Sequence, residues 1–128
     1  MPKKESERQK ERFFEQCMTL MRSRNAQRQE DGFHLLLTRA AEFVPELLTE
    51  TAAEVEDPGL RSWLYELLRE TKSTLPIHHY RSLLVSTKED ERSWAQTGLK
   101  AIDTPEARKI LFDAGLADQT KTARKEHR

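Results

Sequence analysis

Residues 60–70 read LRSWLYELLRE and residues 91–102 read ERSWAQTGLKAI, and the Arg-Ser-Trp tripeptide they share recurs at an offset of 31. The same offset carries Pro45 to Pro76, Leu64 to Ala95, Leu67 to Gly98, Leu68 to Leu99 and Thr71 to Ile102. At about 100° per residue, Leu60, Leu64, Leu67, Leu68 and Thr71 fall within one arc of a helix, with Trp63 at its edge. Each unit is then a pair of short helices opened by proline. Such a pair cannot bury its apolar arc alone, and stacking on a neighbour supplies the missing core. A third unit opens at Pro105 and ends after one helix.

Outward from these stretches, the pattern predicts helix nearly throughout. Glycine and proline are few, and the apolar alternation of strands is almost absent. Phe13, Phe14, Cys17, Met18, Leu20 and Met21 form one stripe and predict a first helix over 5–27. A break is expected at Gln29-Glu30-Asp31-Gly32, then a second helix over 33–41 and a third over 45–53, opened by Pro45. Asp57 is an N-cap candidate for a fourth helix over 58–72. A fifth is expected over 76–86 and a sixth over 88–102. Asp103-Thr104-Pro105-Glu106 starts a seventh, which Gly115 ends. Residues 117–128 hold no apolar side chain but two alanines and are expected to be a flexible basic tail.

The chain has 128 residues, enough for one domain, here drawn as 1–116. Hydrophobic residues are 36%, about 39% with the four glycines, and charged residues 34%, against roughly 45–50% and 25% in an average soluble chain. That balance suits a thin core and an extended helical form. Lys+Arg and Asp+Glu are 22 each, and the zero net charge argues against a general polyanion binder, so nucleic acid is a disfavoured partner. No apolar run approaches the ~18 residues of a membrane span, and no apolar stretch follows the first lysines, so a cytoplasmic chain is expected. The charges are not evenly spread. Residues 30–57 carry eight acids against Arg39 alone, between two basic ends. Such an acidic band reads either as a solvated helix face or as a patch that steers a basic partner.

Residues 44–116 resemble HEAT repeats, in particular the short bacterial kind also found in phycobilin lyases. The resemblance rests on the openings at Pro45 and Pro76, the Asp57-Pro58 loop, the two Arg-Ser-Trp helices and the IDTPEARKIL junction at 102–111. The chain departs from the pattern at His78, His79 and Tyr80, where small aliphatics are usual, and in residues 1–43, of which 5–43 are taken as a helical cap. The resemblance implies an all-α fold: a short right-handed α-α solenoid of stacked antiparallel helix pairs. It also implies that the second helices of the pairs line a concave face, and that Arg61 and Arg92 bond to loops of an adjacent repeat.

On the arc opposite the leucines lie Ser62, Tyr65, Glu66 and Arg69, and the offset carries them to Ser93, Gln96, Thr97 and Lys100. Ser62, Tyr65, Glu66, Arg69, Gln96 and Lys100 are the candidate partner-binding residues, Tyr65 being an aromatic ring on a polar arc and a favoured interface anchor. Trp63 and Trp94 read as core or inter-repeat wedges. His78 and His79 are adjacent and point apart on a helix, so no metal is expected. Cys17 lies on an apolar stripe and reads as a buried small residue. Ser62 and Ser93 belong to the repeat, and the four glycines form no phosphate cradle, so neither catalysis nor a cofactor is expected. The function expected is a non-catalytic protein–protein interaction module, of the adaptor or inhibitor and immunity kind, for a protein partner whose fit to the band is a basic one. A nucleic-acid-binding or lyase-related protein is the alternative. The pattern fixes no oligomeric state.

Overall fold

Helix α1 (Glu7–Met21) starts at a reciprocal cap. The Ser6 hydroxyl accepts from the Gln9 N–H at 3.1 Å, and the Gln9 side chain accepts from the Ser6 N–H at 2.8 Å. A computed structural model describes residues 5–115 of the chain. The expected tail 117–128, and Lys3 and Lys4 of the basic N-terminus, lie outside the described residues. Among those described are seven α-helices and one 3-10 turn, with no strand. The protein is therefore all-helical, and no described helix is long and apolar enough to cross a membrane.

The α1 stripe is buried as its spacing requires, at Phe14, Cys17, Met18 and Met21. The helix ends earlier than expected, at Met21. Asn25 then caps α2 (Ala26–Leu37), its side chain accepting from the Arg28 N–H at 3.0 Å. The expected break at 29–32 is corrected: α2 runs straight through Gly32. A Cβ at that position would stand 2.7 Å from the Cys17 carbonyl oxygen and 2.8 Å from Leu20 Cβ. This glycine lets two helices approach closely; it does not reverse the chain. A 3-10 turn, Ala40–Phe43, follows α2 where the second helix was expected to continue. It leads directly into α3 (Val44–Ala53), with Pro45 in the first turn as expected. Phe43 is fully buried, its ring 5.8 Å from that of Phe13 and 5.4 Å from that of Phe14.

The loop after α3 is held by carboxylates. Glu54 accepts from the N–H groups of Glu56 (3.3 Å) and Asp57 (3.1 Å), and Asp57 accepts from Leu60 N–H at 3.0 Å, capping α4 (Pro58–Thr71). The chain forms two compact units, which divide between Leu67 and Leu68 within α4.

In the second unit Lys72 follows α4 in the left-handed region, at φ 54°. Helix α5 (Ile77–Leu83) is shorter than the expected 76–86. Ser86 is taken up by the start of the next helix instead: its hydroxyl accepts from Lys88 N–H at 3.0 Å and donates to Glu91 at 2.5 Å. Helix α6 (Glu89–Ile102) ends at Asp103, again left-handed, at φ 50°. Thr104 caps α7 (Pro105–Asp113), accepting from Ala107 N–H at 3.1 Å, and Gly115 closes it at φ 77°, both as expected.

The internal repeat is carried by α4 and α6 and not by the helices before them. Both have 14 residues, their starts and ends sit at the offset of the tripeptide, and the left-handed Lys72 and Asp103 correspond. Leu64 and Ala95, Leu67 and Gly98, and Leu68 and Leu99 are buried in pairs. Arg61 Nε donates to the Thr51 carbonyl at 3.2 Å and Arg92 Nη1 to the Ser86 carbonyl at 2.7 Å. Each of these bonds ties the arginine's helix to the chain at the end of, or just after, the helix preceding it. The match of Pro45 to Pro76 is not structural. Pro45 is exposed inside the first turn of α3, whereas Pro76 is buried and precedes α5. Val44 and Leu47 take the buried positions that Ile77 and Tyr80 take in α5, because the buried face and not the proline sets a helix's register.

Tyr80, at the departure from the aliphatic pattern, is buried and faces Gly98. A Cβ at residue 98 would lie 2.4 Å from Tyr80 Cζ, so the loss of a side chain on α6 makes room for the large ring of α5. His78 is exposed, and the ring of the half-buried His79 lies 6.5 Å from that of Tyr80.

Candidate protein-binding surface

In the first unit the acidic band resolves into neutralised and open parts. Arg39 donates to Glu42 at 2.9 and 2.7 Å and to Glu5 at 3.0 Å, and its guanidinium lies 4.6 Å from the Phe13 ring centre. The hydrogen bonds from Arg39 hold the Glu5 and Glu42 carboxyls below the usual range. The only base of residues 30–57 is therefore engaged by two carboxylates. Arg22 reaches in from α1 and pairs with Glu50 at 2.9 Å, with Glu54 at 3.9 Å. Glu30, Glu46, Glu56 and Asp57 remain exposed.

At the start of α4 the chain forms a recess of about 220 Å³ lined by Met21, Gln29, Asp57, Gly59, Leu60 and Trp63. Trp63 is half-buried, and Phe33 backs it with ring centres 5.0 Å apart at 48°. Gln29 is fixed by a bond from its Nε2 to the Ser23 carbonyl at 2.5 Å. Nothing in the apolar spacing marked this recess, because its wall joins α2 to α4. Its sequence signals were the aromatic Phe33 and a glycine directly after the capping Asp57-Pro58.

The candidate residues of the second-helix faces divide between the units. In the first unit Ser62 is half-buried and Glu66 exposed, but Tyr65 is only 3% exposed. Its expected place on an open polar arc is corrected: the Arg61 guanidinium lies 5.6 Å from its ring centre and the residue belongs to the core. In the second unit Arg69 is half-buried beside Glu70 at 3.8 Å, Gln96 is half-buried, and Ser93, Thr97 and Lys100 are exposed. Trp63 and Trp94 are both half-buried.

The remaining groups sort by burial. Cys17 is 1% exposed, and desolvation pushes its thiol up to about 11, as expected for a small apolar-face residue. Among the described residues no cluster of three or more His, Cys, Asp or Glu could hold a metal ion. Compared with protein-family models, curated proteins and solved structures, the chain matches none.

Proposed function

We propose that this chain is a non-catalytic interaction module that holds a basic protein partner, as an adaptor or an inhibitor of the immunity kind. The observation that carries this reading is the state of the acidic band. Its one base, Arg39, is bound by Glu5 and Glu42, while Glu30, Glu46, Glu56 and Asp57 face solvent. Carboxylates left open on one stretch raise the local concentration of a cationic partner and orient its approach. Glu66 in the first unit, and the exposed Lys100 and half-buried Gln96 in the second, are further candidate contacts, each within its own unit. In the same proposal the helix pairs belong to a short right-handed HEAT-like solenoid. The matched lengths, arginine ties and left-handed ends of α4 and α6 support that arrangement.

The test is affinity capture from the source cell with three baits. One is wild type. One carries Glu30→Gln, Glu46→Gln and Glu56→Gln. One carries Glu66→Ala, Gln96→Ala and Lys100→Ala. Tyr65 is left intact, because its truncation would damage the core. Both variants should lose the partner while keeping the wild-type helical CD spectrum. Variants that recover every wild-type partner would overturn the proposal.

A further inference from the structure

The recess at the start of α4 combines three features. Its volume, about 220 Å³, is below the roughly 300–1,000 Å³ of small-molecule clefts and suits one long side chain. Its lining is part apolar and aromatic, from Met21, Leu60 and Trp63, with Phe33 supporting the indole, and part polar. Its polar members are the carboxylate of Asp57 and the amide of Gln29. The positive end of α4 is already covered, since Asp57 Oδ1 accepts from Leu60 N–H. Glu54 and Glu56 stand in the same loop, and of these Glu54 lies 3.9 Å from Arg22. In the lining itself the charged side chain is Asp57.

We infer that the Trp63–Asp57 recess seats one arginine side chain of the basic partner. The inference rests on the proposed role of the acidic band and names the group recognised there. Arginine fits better than lysine for a physical reason. Its planar guanidinium stacks on an aromatic ring and presents paired N–H donors to a carboxylate, while its methylenes lie on apolar walls. Asp57 supplies the carboxylate, Trp63 the ring, and Met21 and Leu60 the apolar bed.

The experiment follows the two indole N–H signals by NMR in the full-length chain, assigned with Trp94→Phe. The probes are N-acetyl-arginine amide and its uncharged isostere, N-acetyl-citrulline amide. The arginine probe should shift the Trp63 signal saturably in the millimolar range, as one side chain's contacts allow, and leave the Trp94 signal in place. Citrulline should bind about tenfold more weakly or worse, the loss expected without the charge-assisted contact. Asp57→Asn keeps an equally good helix cap, so it removes the charge with the fold intact and should weaken the arginine probe by a similar factor. Equal shifts at both indoles, an equal response to citrulline, or unchanged binding by Asp57→Asn would each overturn the recess assignment. If the arginine probe fails while partner capture still depends on Glu30, Glu46 and Glu56, the recess falls and the band stands. If capture ignores those residues, the band reading falls whatever the probe does.

Discussion

Two single residues show how side-chain volume directs this fold. Gly98 occupies a helix interior, where glycine costs roughly 0.5–1 kcal/mol relative to alanine. The Tyr80 ring fills the space, so Gly98→Ala should destabilise the protein in spite of its better helix propensity. Overpacking of this kind costs about 1–3 kcal/mol. In urea melts, Tyr80→Leu in the Gly98→Ala background should recover part of the loss, as a coupling between the two sites; strictly additive effects would refute the contact. Cys17 gives a pH signature. Its thiol stays protonated to about 11 in the folded chain, above its value in the unfolded one. The unfolded state therefore loses its proton first, and stability should fall as pH rises from roughly 8.5 to about 11. Cys17→Ala should flatten that decline, measured by denaturant midpoints across the range.

The element that defines the repeat is the 14-residue helix with an arginine in its early turns and a left-handed residue after its end. Arg92 donates to the main chain of Ser86, just after α5, and so fixes the angle at which the two helices meet. Arg92→Met keeps much of the apolar stem and removes the bond. It should cost about 1.5–3 kcal/mol in a chemical melt, the range for hydrogen bonds to charged groups. Lys72 carries a Cβ in a backbone region that favours glycine. Lys72→Gly should raise stability by up to ~1 kcal/mol. Asp103→Gly should gain less, because Asp103 also accepts from Arg108 at 2.8 Å.

For the whole molecule, balance of charge conceals separation of charge. The formal net charge is zero, yet Glu30, Glu46, Glu56 and Asp57 are exposed while the one base of residues 30–57, Arg39, is engaged. Association driven by such a surface weakens with ionic strength, since the Debye length falls from about 10 Å at 0.1 M to about 3 Å at 1 M salt. The association rate with the partner should therefore drop steeply with added salt while the dissociation rate changes little, as read by surface plasmon resonance. A salt-independent rate would remove the steering role of the band.

Local chemistry along the chain specifies several features without help from packing. Helix content, the caps at Asp57 and Thr104, the glycine stop at residue 115 and the register of α4 and α6 depend on hydrogen bonds and apolar spacing within a few turns. Only tertiary structure decided which features act at a distance. The break assigned to Gly32 became a close approach of two helices, and the matched prolines proved to stand at different register positions. Tyr65 entered the core, although its position on the helical wheel was polar, and Trp63, backed by Phe33, joined Asp57 in one recess. A side chain's periodicity records the direction in which it leaves its own helix; whether that direction meets solvent or another ring is set by a neighbour whose position no local pattern encodes.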